Sequence, residues 1–130
     1  MSGFGEALQV AIYDRLNSYT PLTALASVYD NVPQSTVYPY VTVGEGVFVG
    51  WSGDDFVGSQ GILTLHTWSR HRGRKDVQAL QGHILDALSR YELSIAGYTL
   101  VTLEFAGEQT QVDTDGRTRH GISEFDVIFV

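Results

Sequence analysis

Cysteine is absent from the 130 residues, which removes disulfide cross-links, thiolate metal ligands and a cysteine nucleophile together and leaves the redox compartment unspecified. Basic side chains are scarce. There are 8 Lys and Arg against 15 Asp and Glu, a formal net charge of -7 with histidine neutral, so the surface is not one that grips nucleic acid by neutralising phosphates. DNA fits as a neighbour that is not held. No apolar run approaches the ~20 residues needed to cross a bilayer, and no membrane partner is expected. Residues 1–20 lack the basic start and apolar core of a signal peptide, so the expectation is a soluble protein made in the cytoplasm. With 43% hydrophobic residues, the chain reads as one domain over residues 1–130 that buries roughly two-thirds of its unfolded surface.

The few bases are unevenly placed. Residues 1–69 hold 6 acids and a single base, Arg15, whereas residues 70–130 hold 9 acids and 7 bases. Half of the bases fall in one short run, Arg70, Arg72, Arg74 and Lys75. Such a run is ordinarily a solvated turn between two elements.

Apolar periodicity gives the element order. Leu8, Ala11, Ile12 and Leu16 recur at helical spacing within Glu6–Asn17. Thr20-Pro21 then has the signature of a helix start, good for a turn or two through Leu22, Ala24 and Leu25. Asp30, Asn31, Pro33 and Pro39 mark Val28–Pro39 as a connecting loop. From Tyr40 to Val49 the β-branched and aromatic content predicts a strand, with Gly44 and Gly46 as a bulge or bend. A glycine-rich loop over Gly50–Gly58 carries Trp51, Asp54, Asp55 and Phe56. Gly61–Ser69 follows as an interior strand with Leu63, Leu65 and Thr67 on one face and Ile62, Thr64, His66 and Trp68 on the other.

A second main helix is predicted over Gly73–Tyr91, on the stripe Val77, Leu80, Ile84, Leu88 and Tyr91. A third strand, with Thr99, Val101, Leu103 and Phe105 on one face, follows Gly97. Asp115-Gly116 is a tight-turn dipeptide ahead of the last strand, Gly121–Val130, where Phe125, Val127 and Phe129 alternate with Glu124, Asp126 and Ile128. The expected fold is α+β: a mostly antiparallel four-stranded sheet, with room for an extra hairpin, packed by two main helices in the order α-β-β-α-β-β.

The chemistry available to such a chain is thin. No glycine-rich turn leads into Lys-Ser or Lys-Thr, and no G-x-G-x-x-G opens a helix, so nucleotide binding has no support. Ser52 in Gly50-Trp51-Ser52-Gly53 misses the spacing of a nucleophile elbow by one residue. His66, His71, His83 and His120 include no i, i+4 pair on one helix. Asp113-x-Asp115-Gly116 has Glu124 at the twelfth place of a calcium loop, but Arg117 and Thr118 fill positions five and six and a strand follows, so a charged β-turn is the better reading. Asp54 and Asp55 are adjacent loop acids with no fixed separation for acid and base roles. No catalytic, metal or cofactor-binding residue is therefore expected. Trp51 and Phe56, two aromatics on a glycine-hinged loop, are candidate anchors for a protein partner.

Several strings, taken in order, resemble the tail completion, or tail terminator, family of long-tailed bacteriophages and prophages. They are LQVAIYDRL at Leu8–Leu16 with LTAL at Leu22–Leu25, VYDNVPQ at Val28–Gln34, PYVTVGE at Pro39–Glu45, LTLHTWSR at Leu63–Arg70 with Gly73-Arg74, and DGRTRHG at Asp115–Gly121. The resemblance implies a structural virion protein without enzymatic activity or cofactor. It would form a homo-oligomeric, hexameric ring at the head-proximal end of the tail tube and stop tube polymerisation. Its partners would be the tail tube protein and a head-completion or connector protein, with DNA only passing through the lumen. Net acidity agrees with such a conduit, because carboxylates in a lumen repel phosphates.

The expected partner interface comprises Trp51, Asp54, Asp55, Phe56, Arg70, Arg72, Arg74 and Lys75, the basic run pairing with an acidic neighbour across a cyclic interface. Two alternatives belong to other classes. One is another tail tube or head-tail connector subunit. The other is a small ligand-binding α+β domain with its pocket near His66, Trp68 and His120.

Overall fold

In a computed structural model, residues 3–50, 52–55, 57–71, 73–89 and 91–130 are described. The chain is α+β, as its periodicities predict, but the sheet has five strands and is mixed. The helices are α1 (Phe4–Ser18), α2 (Thr20–Thr23) and α3 (Lys75–Leu88); the strands are β1 (Ser27–Tyr29), β2 (Tyr40–Gly50), β3 (Ser59–Ser69), β4 (Leu100–Val112) and β5 (Arg119–Phe129). Their spatial order is β1-β2-β3-β5-β4.

The unexpected strand is β1, which lies inside the segment whose breakers read as loop. It runs parallel to β2, with Val28 opposite Val41. Three residues carry no period of their own, and what makes them a strand is the free edge of β2 beside the buried Val28. The remaining pairings, β2 with β3, β3 with β5 and β5 with β4, are antiparallel as expected. The third helix is the single turn that Thr20-Pro21 starts. Helix α3 ends at Leu88 because Ser89 turns extended, so Tyr91 leaves the apolar stripe and stands 44% exposed with the Arg15 guanidinium 3.7 Å above its ring.

Strand β4 continues seven residues past Phe105 to Val112, and bulges at Leu100/Thr102 and Phe105/Gly107 break its alternation. Val101 is therefore exposed where a strict period-two reading put it with Leu103. The predicted irregularity in β2 is real. The register slips between Val43 and Gly46.

Helices α1 and α3 cover one face of the sheet. From α1 come Phe4, Ala7, Leu8, Ile12 and Leu16, and from α3 Val77, Leu80, Ile84, Ala87 and Leu88; Val41, Val43, Leu63, Leu65, Phe125, Val127 and Phe129 meet them from the strands. Full burial of each Leu, Ile, Val or Phe is worth about 1.5–3 kcal/mol, so this layer holds the fold. Where α3 crosses the sheet the residue beneath it is Gly121. A methyl group there would collide with Thr67, Val77 and Gln81, so the close approach of helix to strand requires glycine. Gln81 is buried in the same layer, and its Nε2 donates to the Gln109 carbonyl at 3.0 Å.

Candidate interface on the uncovered sheet face

Among the described residues no helix lies over the opposite face of the sheet. Antiparallel partners point to the same side, so the register itself assembles this surface: Tyr40, Trp68, His120 and Gln111 lie in one row across four strands, and Thr42, His66, Ile122 and Gln109 in the next. At the other end of the strands Val47 is opposite Ile62, which is opposite Asp126, which is opposite Glu104. The first end is aromatic and the second is aliphatic with an acidic rim.

At the aromatic end the rings pack on one another. Trp68 and His120 stack at 3.8 Å between centroids and 7° between planes, His66 lies 4.9 Å from His120, and Tyr40 is next to Trp68. His66 Nδ1 and His120 Nε2 are 2.7 Å apart, Gln111 Nε2 is 3.2 Å from His120 Nδ1, and Glu45 Oε2 is 3.5 Å from His66 Nε2. One assignment satisfies every contact: Gln111 donates to His120 Nδ1, His120 Nε2–H donates to His66 Nδ1, and His66 turns its own N–H towards the Glu45 carboxylate.

Burial, and then the neighbouring His66, hold His120 below its ordinary pKa. Glu45 is held low by a bond from its own backbone N–H, with His66 adding to the effect. Burial and the adjoining Tyr38 push the Tyr40 phenol up to about 12. The sequence treats the histidines as scattered, yet pairing β3 with β5 brings two of them into contact beside Trp68. Because the ring faces and nitrogens are spent on one another, the cluster is a packed polar unit. Among the described residues no group of three or more His, Asp and Glu is placed to hold a metal ion.

The aliphatic end forms a shallow groove of about 510 Å³, lined by Val47, Val49, Ile62 and Ile128 and edged by Glu104 and Asp126. Val47 is 68% and Val49 58% exposed. Contiguous aliphatic groups on a sheet face open to water make this a candidate docking surface.

The residues expected at an interface divide between two places. Asp54 and Asp55 are exposed beyond the aliphatic end, in the turn from β2 to β3. Arg70, Arg74 and Lys75 are exposed at the aromatic end, where β3 leads into α3. Arg70 is engaged locally, its guanidinium 4.4 Å over the Tyr38 ring and its Nε donating to Thr118 Oγ1 at 3.3 Å. Trp51, Phe56 and Arg72 lie outside the described residues. The two halves of the expected interface are thus at opposite ends of the sheet. Missing from the expectation are Val47, Val49, Ile62, Ile128, Glu104 and Asp126, whose alternation with core residues was the available signal.

The Asp115 turn closes the β4–β5 hairpin without any metal geometry. Asp115 accepts from the Thr118 hydroxyl at 2.6 Å and from the Arg117 and Thr118 backbone N–H groups at 2.8 Å each, which lowers its carboxyl to about 2. Gly116 takes φ +70°, a backbone conformation that glycine adopts without strain.

Residues 10–129 match the family of the tail completion protein gp17. The chain belongs to this family. A curated member, tail completion protein gp17 of Bacillus phage SPP1, is 31% identical over 117 residues, spanning 89% of this chain and 87% of that protein. The solved structure of bacteriophage SPP1 gp17 superposes with a TM-score of 0.65 at 29% identity, over 95% of this chain and 88% of the other. A chain from the virion of a native gene transfer agent particle superposes with a TM-score of 0.91 over 99% of this chain and 98% of its own. Its identity is 23%, so that likeness speaks for the fold alone. As members of a structural family of the phage tail, such chains are virion components.

Proposed function

We propose that the chain is a ring subunit at the head-proximal end of the tail tube, where it ends tube polymerisation and joins the tail to the head connector while DNA passes through the ring. The family match over residues 10–129 carries this reading. Two physical features support it. Three of the four longer strands present an uncovered, partly aliphatic face that a monomer has no use for, which is ordinary in a subunit of an assembly. The net charge of -7 suits a conduit that must let a polyanion slide.

The role assigns no chemistry to any side chain. The His66–His120 pair is structural in this reading, tying β3 to β5. The test is reconstitution. Tails isolated from particles lacking the protein are incubated with the purified chain and then with filled heads. Capped tubes of fixed length that join heads are the expected result. Tubes that go on lengthening, and heads that stay unjoined, would overturn the reading.

A further inference from the structure

Five of the six Lys and Arg among the described residues lie at one end of the strands. At the end where β3 finishes and β5 begins stand Arg70, Arg74, Lys75, Arg117 and Arg119, while Asp54, Asp55, Glu104 and Asp126 stand at the other end without a base among them. Three acids share the basic end: Asp115 holds its own turn, Asp76 lies 3.8 Å from His71, and Asp113 stands exposed beside the same turn. Both ion pairs among the described residues use histidine, and among those residues no Lys or Arg lies within 4.0 Å of a carboxylate. The 11 residues of β3 at about 3.3 Å each put roughly 35 Å between the two ends, too far for one molecule to bring its own ends together.

A second observation points the same way. Arg74 is the N-cap of α3 and Lys75 its first residue, and Arg74 makes no capping bond. Asp76 in the first turn complements the helix dipole, but the cations at Arg74 and Lys75 oppose it, and neither offers the hydroxyl or carboxylate that caps well. A local rule is broken at the same place where charge is left unpaired.

We propose that the groove of Val47, Val49, Ile62 and Ile128 receives the basic end of a second copy of the chain, so that Arg74 and Lys75 of one protomer reach Glu104 and Asp126 of its neighbour. The proposal rests on the ring reading above and supplies its contact. Long aliphatic stems suit the groove, covering valine and isoleucine while their charged heads reach the acidic rim. The two surfaces differ, so the association is head to tail, and it closes into a ring when the rotation between neighbours divides a full turn.

The test uses three variants: Arg74→Glu with Lys75→Glu, Glu104→Lys with Asp126→Lys, and all four together. Circular dichroism and melting confirm that each folds, and sedimentation at low ionic strength reads self-association. Each paired reversal is expected to weaken it roughly tenfold or more. The fourfold exchange, which swaps the signs at both ends, restores it, as does an equimolar mixture of the two paired variants. Rings of unchanged size in both paired variants would overturn the contact and leave the ring reading standing.

Should the wild-type chain be a monomer in solution, the same question is put on tails. The sequence has no cysteine, so Lys75→Cys and Asp126→Cys introduce the sole thiols. A disulfide between chains carrying them on capped tails supports the contact, and capped tails without it overturn the contact alone. A chain that neither associates nor caps tails overturns both.

Discussion

Strand β3 has two faces in different surroundings. Leu63, Leu65 and Thr67 are 3%, 0% and 0% exposed under the helices, whereas Ile62, one residue away, is 40% exposed on the other side. Both faces are apolar enough to have made the strand look interior from its sequence, and it is interior in the sheet, between β2 and β5. Centrality within a sheet and burial on both faces are separate properties. The helix-covered face is fixed by volume and close approach, while the uncovered face keeps aliphatic groups in water beside unpaired acids. One face of this strand therefore serves the monomer, and the other is available to a partner.

The contrast is challenged most severely by adding volume on the covered side. Gly121→Val places methyl groups where Thr67, Val77 and Gln81 already sit, and is expected to cost roughly 3 kcal/mol or more, or to prevent folding, as read by urea denaturation. A folded variant with an unchanged midpoint would mean that α3 does not approach the sheet closely.

Next comes a paired truncation on one strand. Leu65→Ala should cost about 3 kcal/mol, because Leu65 is fully buried between the sheet and the helices. Ile62→Ala should cost under about 1 kcal/mol of monomer stability while weakening self-association. Equal losses in the two variants would erase the contrast between the faces.

The smallest expected effect is that of pH at the aromatic end. Burial and His66 lower the pKa of His120, so the unfolded chain takes up a proton that the folded chain resists. Stability should therefore fall as the pH drops below about 6.5, the unfolded value. Replacing the imidazole by an amide, His120→Gln, should flatten the stability profile in that window. The contribution of Glu45, whose carboxyl is lowered from 4.5, is lost in a separate and more acidic range. An unaltered profile in His120→Gln would show that His120 does not titrate with folding.

Long amphipathic elements were legible. Leu8, Ala11, Ile12 and Leu16 announce α1, and Val77, Leu80, Ile84 and Leu88 announce α3, because apolar residues at mixed steps of three and four line up on one side of a helix but would be split between the two faces of a strand. The slip at Gly44 and Gly46 and the turn at Asp115-Gly116 were equally readable, since glycine marks both: a Cβ at Gly44 or Gly46 would meet His66 or Phe48, and Gly116 takes a positive φ. The edge strands were legible only in part. Ser27–Tyr29 is too short for a period, and β4, whose first half the sequence predicts, loses its period at two bulges, so neighbours decide the rest. The exposure of Arg70, Arg74, Lys75, Asp54 and Asp55 was legible as surface charge, but the chain order gave no sign that the basic and acidic residues lie at opposite ends of the sheet.

Composition, period and the order of short strings suffice for an acidic, cysteine-free α+β domain, its two main helices, its four long strands and its resemblance to tail completion proteins. They do not suffice for the contact of His66 with His120, for the groove that Val47 and Ile62 share with Glu104 and Asp126, or for the distance between that groove and the end of the sheet that holds Arg70, Arg74 and Lys75. Those arise only on folding. Such juxtapositions are set by which strands pair and in what register, and register joins residues dozens of positions apart that local propensity does not relate.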